Sequence, residues 1–281
     1  MKIAALQMVS GQDVAANLAQ ARSLMQQAAS LGAELVVLPE YFCAMGARDT
    51  DKLAYREAFG QGPIQDFMAG AARQLQLWVV AGTLPLQAAD DSHVLNTSLV
   101  YSPDGECVAR YDKIHLFQFD NGRESYTEAA VVQAGSQPVV CDIQARNGLS
   151  WRLGLSVCYD LRFPELYRAL SAQGADLLLV PSAFTYTTGQ AHWEVLLRAR
   201  AIENLAYVLA PGQGGVHENG RRTWGHSLLI DPWGEVQGLQ ASGAGVVAGE
   251  LNRDRLLQVR QQLPALSHRV RSEEHTSELQ S

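Results

Sequence analysis

Two short runs, ELVVL at 34–38 and LLLV at 177–180, are apolar without alternation and restrict the fold more than any other feature. Strands of this kind are usually covered on both faces, as in a parallel sheet between layers. Their surroundings also match, since SLGAELVVLPE resembles AQGADLLLVPSA. The match predicts two similar halves in a layered α/β architecture whose sheets pack on each other. Glycine-ended helices before buried strands are common, so a chance likeness stays an alternative.

Amphipathic segments alternate with the strand-like runs. Asp13 is placed to cap a helix that ends at Gly32, and Pro63 suits the first turn of a second helix. A loop is expected from about Gln118 to Gln137. Further predicted elements are helices at FPELYRALSAQG, HWEVLLRARAIENLA and NRDRLLQVRQQLP, a strand RLGLSVCYD that ends at the cysteine, and a hairpin turned at Asp231-Pro232-Trp233-Gly234.

The chain contains no linker rich in Pro, Gly or Ser, which predicts a single domain over residues 1–270. The last eleven residues, RSEEHTSELQS at 271–281, are polar and lack periodicity. We interpret them as an appended or disordered tail and leave them out of the fold prediction.

Charge and cysteine usage exclude several classes of function. The formal net charge of -7 argues against a nucleic-acid surface and against docking on anionic lipid. No run approaches the roughly 18 apolar residues of a membrane span, and the N-terminus has no secretory signal pattern. The four cysteines have neither CxxC nor metal-ligand spacing, so we expect free thiols, no bound metal and a cytoplasmic location.

Three residues of different types are candidates for chemistry. Cys158 ends an apolar strand, where a thiol can point into a cleft beside backbone N–H groups that stabilise an oxyanion. Glu40 ends LVVLPE, at the strand edge where ligands gather in α/β folds, and burial would suit it to general-base work. Lys113 in YDKIHLF would lower a nearby thiol pKa. Taken singly, Cys158 is better explained as a packed core cysteine and Glu40 as a solvated loop residue or helix cap, and Lys113 could simply face solvent.

In combination, the segments LPE, YDKIHLF and GLSVCYDLRFPELYR resemble the Glu–Lys–Cys signature of the nitrilase superfamily. The resemblance continues through PSAFTYTTGQAHWEVLLRARAIENLAYV, WGHSLLIDPWGEV and LLQVRQQLPAL, from Met1 to about Val270. It implies a four-layer α-β-β-α sandwich, paired into a homodimer or a higher homo-oligomer, with no metal or organic cofactor.

The same resemblance implies roles for individual residues. Cys158 would be the nucleophile, Glu40 the general base, and Lys113 the oxyanion donor, with the backbone N–H of Tyr159 as a second donor. The family often has a further glutamate seven residues before a glycine in a closing turn. Glu128 has that spacing to Gly135 and would orient Lys113 and the substrate amide, whereas Glu124 is interpreted as a solvated loop residue.

Within the superfamily, CYDLRFPEL, PSAF and GHSLLIDPWGEV resemble the branch of deaminated glutathione amidase and omega-amidase. The branch implies a small carboxylate-bearing substrate whose terminal carboxamide is hydrolysed to acid and ammonia through a thioester. Arg162 could bind that carboxylate, or could pair with Glu165 or Asp160 instead. Further candidate pocket residues, each equally explained by packing, are Tyr41, Phe184, Thr188 and His192. Two departures from the pattern are the long segment CDIQARNGLSWRLGL and Pro211.

Three other functions are compatible with parts of the sequence. A nitrilase or an N-carbamoyl amino acid hydrolase would use the same three residues. A catalytically silent binding protein could keep the fold, although none of the three residues is replaced. A redox or metal protein would need a cysteine spacing that the chain lacks.

Overall fold

The computed structural model describes residues 1–270, so the predicted tail at 271–281 lies outside the described residues. Its strands are β1 Lys2–Gln7, β2 Leu35–Val37, β3 Trp78–Val80, β4 Leu84–Gln87, β5 Val94–Tyr101, β6 Cys107–Asp112, β7 Gln118–Asp120, β8 Ser125–Thr127, β9 Val132–Gln133, β10 Val139–Gln144, β11 Ser150–Leu155, β12 Leu177–Leu179, β13 Tyr207–Ala210, β14 Ser227–Ile230, β15 Val236–Gln240 and β16 Gly245–Glu250. Its helices are α1 Val14–Ser30, α2 Pro63–Leu75, α3 Pro164–Ala172, α4 Tyr186–Asn204 and α5 Arg253–Gln262, with short 3₁₀ turns at Asp49–Ala54, Glu128–Ala130 and Cys158–Arg162.

The strands form two large mixed sheets. The first has the order β16-β1-β2-β3-β5-β4, with β6 and β9 also paired to β5. The second has the order β10-β11-β12-β13-β14-β15. The three strands β1, β2 and β3 are parallel, and so are β11, β12 and β13. The carboxyl ends of β2 and β12 therefore each lie at the centre of a parallel set, where loops gather to form sites.

Successive side chains along the strands point to opposite faces of the sheet, and this divides the core into layers. In β1, Ile3 and Ala5 pack with residues of the second sheet, while Ala4 and Leu6 pack with α1 and α2. The cluster around the second sheet also includes Trp193 of α4 and residues of α3. The order of layers is thus α1 and α2, first sheet, second sheet, then α3 and α4. This is the predicted four-layer α-β-β-α sandwich.

The likeness between the two halves of the sequence corresponds to equivalent places in the structure. Each strand begins three residues after a glycine in the left-handed region, Gly32 (φ +85°) before β2 and Gly174 (φ +85°) before β12. Leu38 N donates to Val80 O, and Val180 N likewise donates to Leu209 O. Both segments then turn at a proline toward the same region between the sheets.

Local signals placed most helix ends correctly. The Asp13 side chain accepts hydrogen bonds from Ala15 N (2.8 Å) and Ala16 N (3.3 Å), as expected of an N-cap, and Pro63 is the first residue of α2. The long segment before the cysteine forms the β10–β11 hairpin.

Three boundaries differ from the predictions. α4 begins at Tyr186, six residues before the predicted start at His192. The segment from Gln118 to Gln137 is not only loop, because it contains the β7–β8 hairpin, a 3₁₀ turn and β9. The strand before Cys158 ends at Leu155, and the cysteine instead begins a 3₁₀ turn. In each case contacts with distant segments set the boundary. The local sequence does not reveal these contacts.

Candidate active site

A cavity lies beside the carboxyl ends of β2 and β12. Glu40 enters it from the segment after β2, Lys113 follows β6 directly, and Cys158 lies three residues beyond the end of β11. The three candidate residues, which come from distant parts of the sequence, thus share one cavity. The remaining lining residues are Tyr41, Asp49, Lys52, Phe117, Tyr126, Glu128, Tyr159, Ala183, Phe184, Thr185, Thr188 and Arg221.

Glu40 is buried, with 2% of its surface exposed, and both of its carboxylate oxygens accept hydrogen bonds. Oε1 accepts from Lys113 Nζ and from Asn96 Nδ2, both at 2.9 Å. Oε2 accepts from the backbone N–H of Ala183 at 2.8 Å. Because Ala183 follows β12, this single carboxylate connects the two sheets and is fixed in orientation.

Cys158 occupies a turn that holds its thiol at the cavity. Its φ of +49° is in the left-handed region, which costs a non-glycine residue roughly 1 kcal/mol or more. The Cys158 N–H donates to Pro181 O at 3.0 Å, so the turn is tied to the segment after β12. Tyr41, which also lines the cavity, has a positive φ of 54°. Two such backbone positions beside one cavity are typical of functional sites.

Lys113 is buried between two carboxylates. Its Nζ donates to Glu40 Oε1 at 2.9 Å and to Glu128 Oε2 at 2.8 Å. Glu128 is held in turn by the Phe117 N–H (2.7 Å) and the Tyr41 hydroxyl (2.8 Å). The structure therefore places Glu128 against Lys113, where the family spacing predicted it. Glu124 lies elsewhere, accepting from Thr187 Oγ1 at 2.9 Å.

The electrostatics of the cavity follow from two carboxylates sharing one ammonium. Burial alone would lower the pKa of Lys113, but the charges of Glu128 and Glu40 outweigh it and raise that pKa above its ordinary value. Burial would raise the pKa of Glu128, yet the Lys113 ammonium holds it below the usual range. Burial and the Glu40 charge raise the pKa of the Cys158 thiol well above normal, against the lowering effect of Lys113. The thiol is therefore protonated at neutral pH beside a carboxylate that can accept its proton.

Asp160 is a buried residue that was considered only as a possible partner of Arg162. Its Oδ2 accepts from the Val157 N–H (2.8 Å) and the Tyr111 hydroxyl (2.6 Å). Its Oδ1 accepts from the His115 N–H at 3.0 Å. Asp160 therefore joins the Cys158 turn to the segment that holds Lys113. The sequence signal that could have predicted this role is the place of Asp160 two residues after the cysteine.

Two buried amides also support the site. Asn96 Nδ2 contacts Glu40 Oε1 (2.9 Å), the Tyr41 hydroxyl (2.9 Å) and Glu128 Oε1 (3.1 Å). Gln213 Nε2 donates to the backbone oxygen of Glu40 at 3.1 Å and so fixes the main chain of the base. Neither amide was predicted, because an amide inside a strand or a loop has no sequence pattern that distinguishes it from an ordinary packing residue.

Four of the six predicted substrate-binding residues line the cavity, namely Tyr41, Tyr159, Phe184 and Thr188. The Tyr159 ring meets the Phe117 ring edge-on at 5.2 Å, and Phe184 packs on Trp193 at 4.9 Å. The cavity wall is thus partly aromatic, as small-molecule sites usually are.

Arg162 and His192 lie outside the lining of this cavity. Arg162 Nη1 contacts His192 Nδ1 at 3.3 Å in an exposed position, with its guanidinium 5.3 Å from the Phe184 ring centre. Within residues 1–270, Arg162 makes no ion pair with Glu165 or Asp160. Its predicted role in carboxylate binding stays a prediction.

In the described part of the chain, no group of three or more His, Cys, Asp or Glu side chains is arranged to hold a metal ion. No helix between residues 1 and 270 is long and apolar enough to cross a bilayer.

The chain belongs to the carbon-nitrogen hydrolase family, whose model matches residues 2–261. It is accordingly a hydrolase that acts on non-peptide carbon–nitrogen bonds. This confirms the resemblance to the family from which the four-layer fold was predicted.

Several relatives are similar to this chain over most of its length. A deaminated glutathione amidase of Synechocystis is 45% identical over 271 residues, which cover 95% of this chain and 97% of the relative. Another, of Yersinia enterocolitica, is 40% identical and covers 95% of this chain and 92% of the relative. Among solved structures, the Caenorhabditis elegans NitFhit protein is similar with a TM-score of 0.87 and 36% identity, covering 95% of this chain and 64% of that protein.

Proposed function

We propose that the chain is a cysteine-dependent amidase in which Cys158, Glu40 and Lys113 perform the reaction. The observation that carries the proposal is that these side chains share one cavity, with Lys113 Nζ 2.9 Å from Glu40 Oε1. A base, a cation and a nucleophile around one cavity form the minimal set for acyl transfer.

The reaction divides into two steps. Cys158 Sγ attacks the amide carbon while Glu40 takes the thiol proton, and Lys113 with the Tyr159 N–H stabilises the oxyanion. The carbon–nitrogen bond then breaks, Glu40 gives the proton to the leaving amine, and a thioester remains. Water that Glu40 deprotonates attacks the thioester, and the carboxylic acid leaves as the proton returns to sulfur. Glu128 positions Lys113 throughout.

We propose a small carboxylate-bearing amide as substrate, of the deaminated glutathione or 2-oxoglutaramate type. Support comes from the branch resemblance and from relatives named deaminated glutathione amidase. A primary amide would release ammonia. In a glutathione-like compound the amide nitrogen belongs to a dipeptide, so the dipeptide amine would be the leaving group.

The first test is product formation from a substrate panel by wild type and Cys158→Ala. The panel contains deaminated glutathione, 2-oxoglutaramate, succinamate, an aliphatic nitrile and an N-carbamoyl amino acid, with the acid and the released amine both quantified. We expect turnover of at least one carboxylate-bearing amide and none by the variant. Turnover of only the nitrile or the carbamoyl compound would support one of the alternative hydrolases. No turnover by folded protein would support the silent binding protein.

We further propose a homodimer in the cytoplasm. An apolar face on α4 supports the dimer, because Val195 is 69% exposed and Ile202, seven residues along the same helix face, is 45% exposed. Ile202 lies beside the turn that contains Trp233, which is 49% exposed. Cys43, Cys107, Cys141 and Cys158 are all free thiols, which fits a reducing compartment.

A further inference from the structure

Asn96 is a buried amide beside the charged residues of the site. It lies on β5, with 1% of its surface exposed. It shares a face of the first sheet with Val100, which packs in the core around the second sheet. Asn96 is not among the residues that line the catalytic cavity. It can therefore act on a substrate only through other residues.

The contacts of Asn96 connect the two acids of the site with the segment of the cation. Nδ2 donates to Glu40 Oε1 at 2.9 Å and lies 3.1 Å from Glu128 Oε1. It also donates to the Tyr41 hydroxyl at 2.9 Å, and that hydroxyl donates to Glu128 Oε1 at 2.8 Å. The backbone oxygen of Asn96 accepts from the Lys113 N–H at 3.0 Å. One residue thus fixes the base, the second glutamate and the main chain of Lys113.

The two carboxylates determine which way this amide faces. Asn96 Oδ1 is buried and accepts no hydrogen bond within residues 1–270, which is unfavourable. Turning the amide over would not remove that cost. It would place Oδ1 against the oxygens of Glu40 and Glu128, which cannot donate a hydrogen bond when they are ionised. The amide therefore keeps its N–H groups toward the acids, although one oxygen is left unpaired.

An amide also stabilises the acids without changing the charge of the site. Glu40, Glu128 and Lys113 together carry one negative charge when both acids are ionised. Two carboxylates close to each other tend to bind a proton, whereas hydrogen bonds donated to them favour their ionised forms. A second ammonium in place of the amide would also oppose protonation, but it would neutralise the charge with which Glu40 attracts the thiol proton.

The other titratable groups that face Glu40 are neutral at pH 7. Burial and the charge of Glu40 raise the pKa of the Cys158 thiol, and burial with the charge of Glu128 raises that of the Tyr41 hydroxyl. The further charged residues that line the cavity are Asp49, Lys52 and Arg221. The donors that hold the excess negative charge are thus the Lys113 ammonium, the Tyr41 hydroxyl, the Asn96 amide and backbone N–H groups.

We propose that Asn96 is a positioning residue that keeps Glu40 and Glu128 ionised together on either side of Lys113, an assignment that rests on the proposed amidase function. By donating to both acids, Asn96 prevents them from sharing a proton, so Glu40 stays free to accept the proton of Cys158. Asn96 itself transfers no proton and does not touch the substrate.

The test compares the pH dependence of three variants with that of wild type. Asn96→Leu keeps the approximate shape of the side chain and removes the donor at every pH. Asn96→Asp keeps the shape but donates only while the introduced carboxyl group holds a proton. Asn204→Leu is the matched control, because Asn204 of α4 is also fully buried with an unpaired Oδ1, and its Nδ2 donates to Arg200 O at 2.9 Å. The substrate is the amide of the panel that wild type hydrolyses fastest.

We expect Asn96→Leu to lower kcat about 10- to 100-fold at neutral pH through misplacement of the base. The KM should change less than about threefold, because Asn96 does not line the cavity. The activity of this variant relative to wild type should rise with pH, since the unsupported acids bind a proton more readily.

Asn96→Asp should show the opposite trend. Its activity relative to wild type should fall as the pH rises, because the introduced group loses its proton and becomes a third carboxylate around one ammonium. Asn204→Leu should lower stability and keep the pH profile of wild type. If both variants of Asn96 reduce activity by factors that do not depend on pH, Asn96 is only a packing residue and the inference is wrong.

Infrared spectroscopy of the folded proteins tests the same inference without a substrate. Protonated carboxyl groups absorb separately from ionised ones, and the signal of the site is identified by its loss in Glu40→Gln or Glu128→Gln. We expect this signal to appear at a pH about one to two units higher in Asn96→Leu than in wild type. Its appearance at the same pH in both would contradict the inference. If folded wild type hydrolyses no amide of the panel, the proposed function is wrong, and the infrared result alone decides whether Asn96 keeps the acids ionised.

Discussion

At the scale of single residues, the chemistry depends on an imbalance of charge around Lys113. Glu40 and Glu128 both contact the ammonium, so the three groups together carry one negative charge when both acids are ionised. That charge adds to burial in keeping the pKa of Cys158 high. The nucleophile is thus a neutral thiol that needs a base, in contrast to cysteines activated by a lowered pKa.

Glu40→Gln should separate thiol ionisation from catalysis. Amide turnover should fall about 10²- to 10⁴-fold, because the general base is lost. The pKa of Cys158 should fall as well, because the carboxylate that raises it has gone while Lys113 remains. The rate of iodoacetamide alkylation should therefore reach its half-maximum at a lower pH than in wild type. An unchanged or higher midpoint would show that Glu40 does not control the thiol.

Glu57→Gln is the matched control for that variant. Glu57 is also a buried glutamate, but it accepts from the backbone N–H groups of Ile64 (2.6 Å) and Gln65 (3.1 Å), at the start of α2. It should reduce stability and leave the alkylation profile of Cys158 unchanged.

Glu128→Gln tests the role of the second glutamate of the site in positioning Lys113. The change removes the charge that contributes most to the raised pKa of Lys113, and it puts an amide where an ammonium needs an acceptor. We expect kcat to fall about 10- to 10³-fold, as for loss of one oriented oxyanion donor. Glu124→Gln, in the same segment, should change kcat less than about twofold. Equal effects of the two substitutions would contradict the assignment.

At the scale of elements, helices α2 and α4 differ in how closely other residues pack against a glycine within them. A Cβ on Gly189 of α4 would lie 2.3 Å from Trp224 Cβ, whereas a Cβ on Gly70 of α2 would meet nothing within 4 Å. Both residues lie inside helices without a positive φ. The same substitution therefore acts on packing at one position and on backbone entropy at the other.

Gly189→Ala and Gly70→Ala should consequently change stability in opposite directions. Gly189→Ala should lower the free energy of unfolding by about 1 to 3 kcal/mol through overpacking against Trp224. Gly70→Ala should raise it by about 0.5 to 1 kcal/mol, because alanine loses less entropy in a helix. Urea unfolding of both variants measures the difference. A stabilised Gly189→Ala would mean that α4 can move away from Trp224.

Much of the fold could be predicted because its signals are local. The Asp13 cap, Pro63, and the two glycine-ended helices before β2 and β12 each report on neighbouring residues. The start of α4 and the β7–β8 hairpin could not, because pairing with distant segments sets them. The same holds for the site. Its motif residues were recognisable, whereas the buried amides of Asn96 and Gln213, which hold Glu40, have no sequence pattern that distinguishes them from packing residues.

At the scale of the whole molecule, the exposed apolar residues on α4 predict self-association. Val195→Arg should convert a dimer to a monomer, because the face that Val195 shares with Ile202 would gain a charge. Val108→Arg is the control, since Val108 is similarly apolar and 44% exposed but lies on β6. Sedimentation equilibrium distinguishes the two. A Val195→Arg dimer as tight as wild type would place the interface elsewhere or exclude it.

The contacts of Glu40 have a consequence for how the enzyme is made. One carboxylate oxygen needs Lys113 from the first sheet, and the other needs Ala183 from the second, 143 residues away in sequence. Contacts so distant along the chain form late, after the entropy of closing long loops has been overcome. During refolding, helical circular dichroism should therefore return before hydrolytic activity. A partly folded chain with one sheet complete would be inert, which would protect cellular amides from an unfinished enzyme.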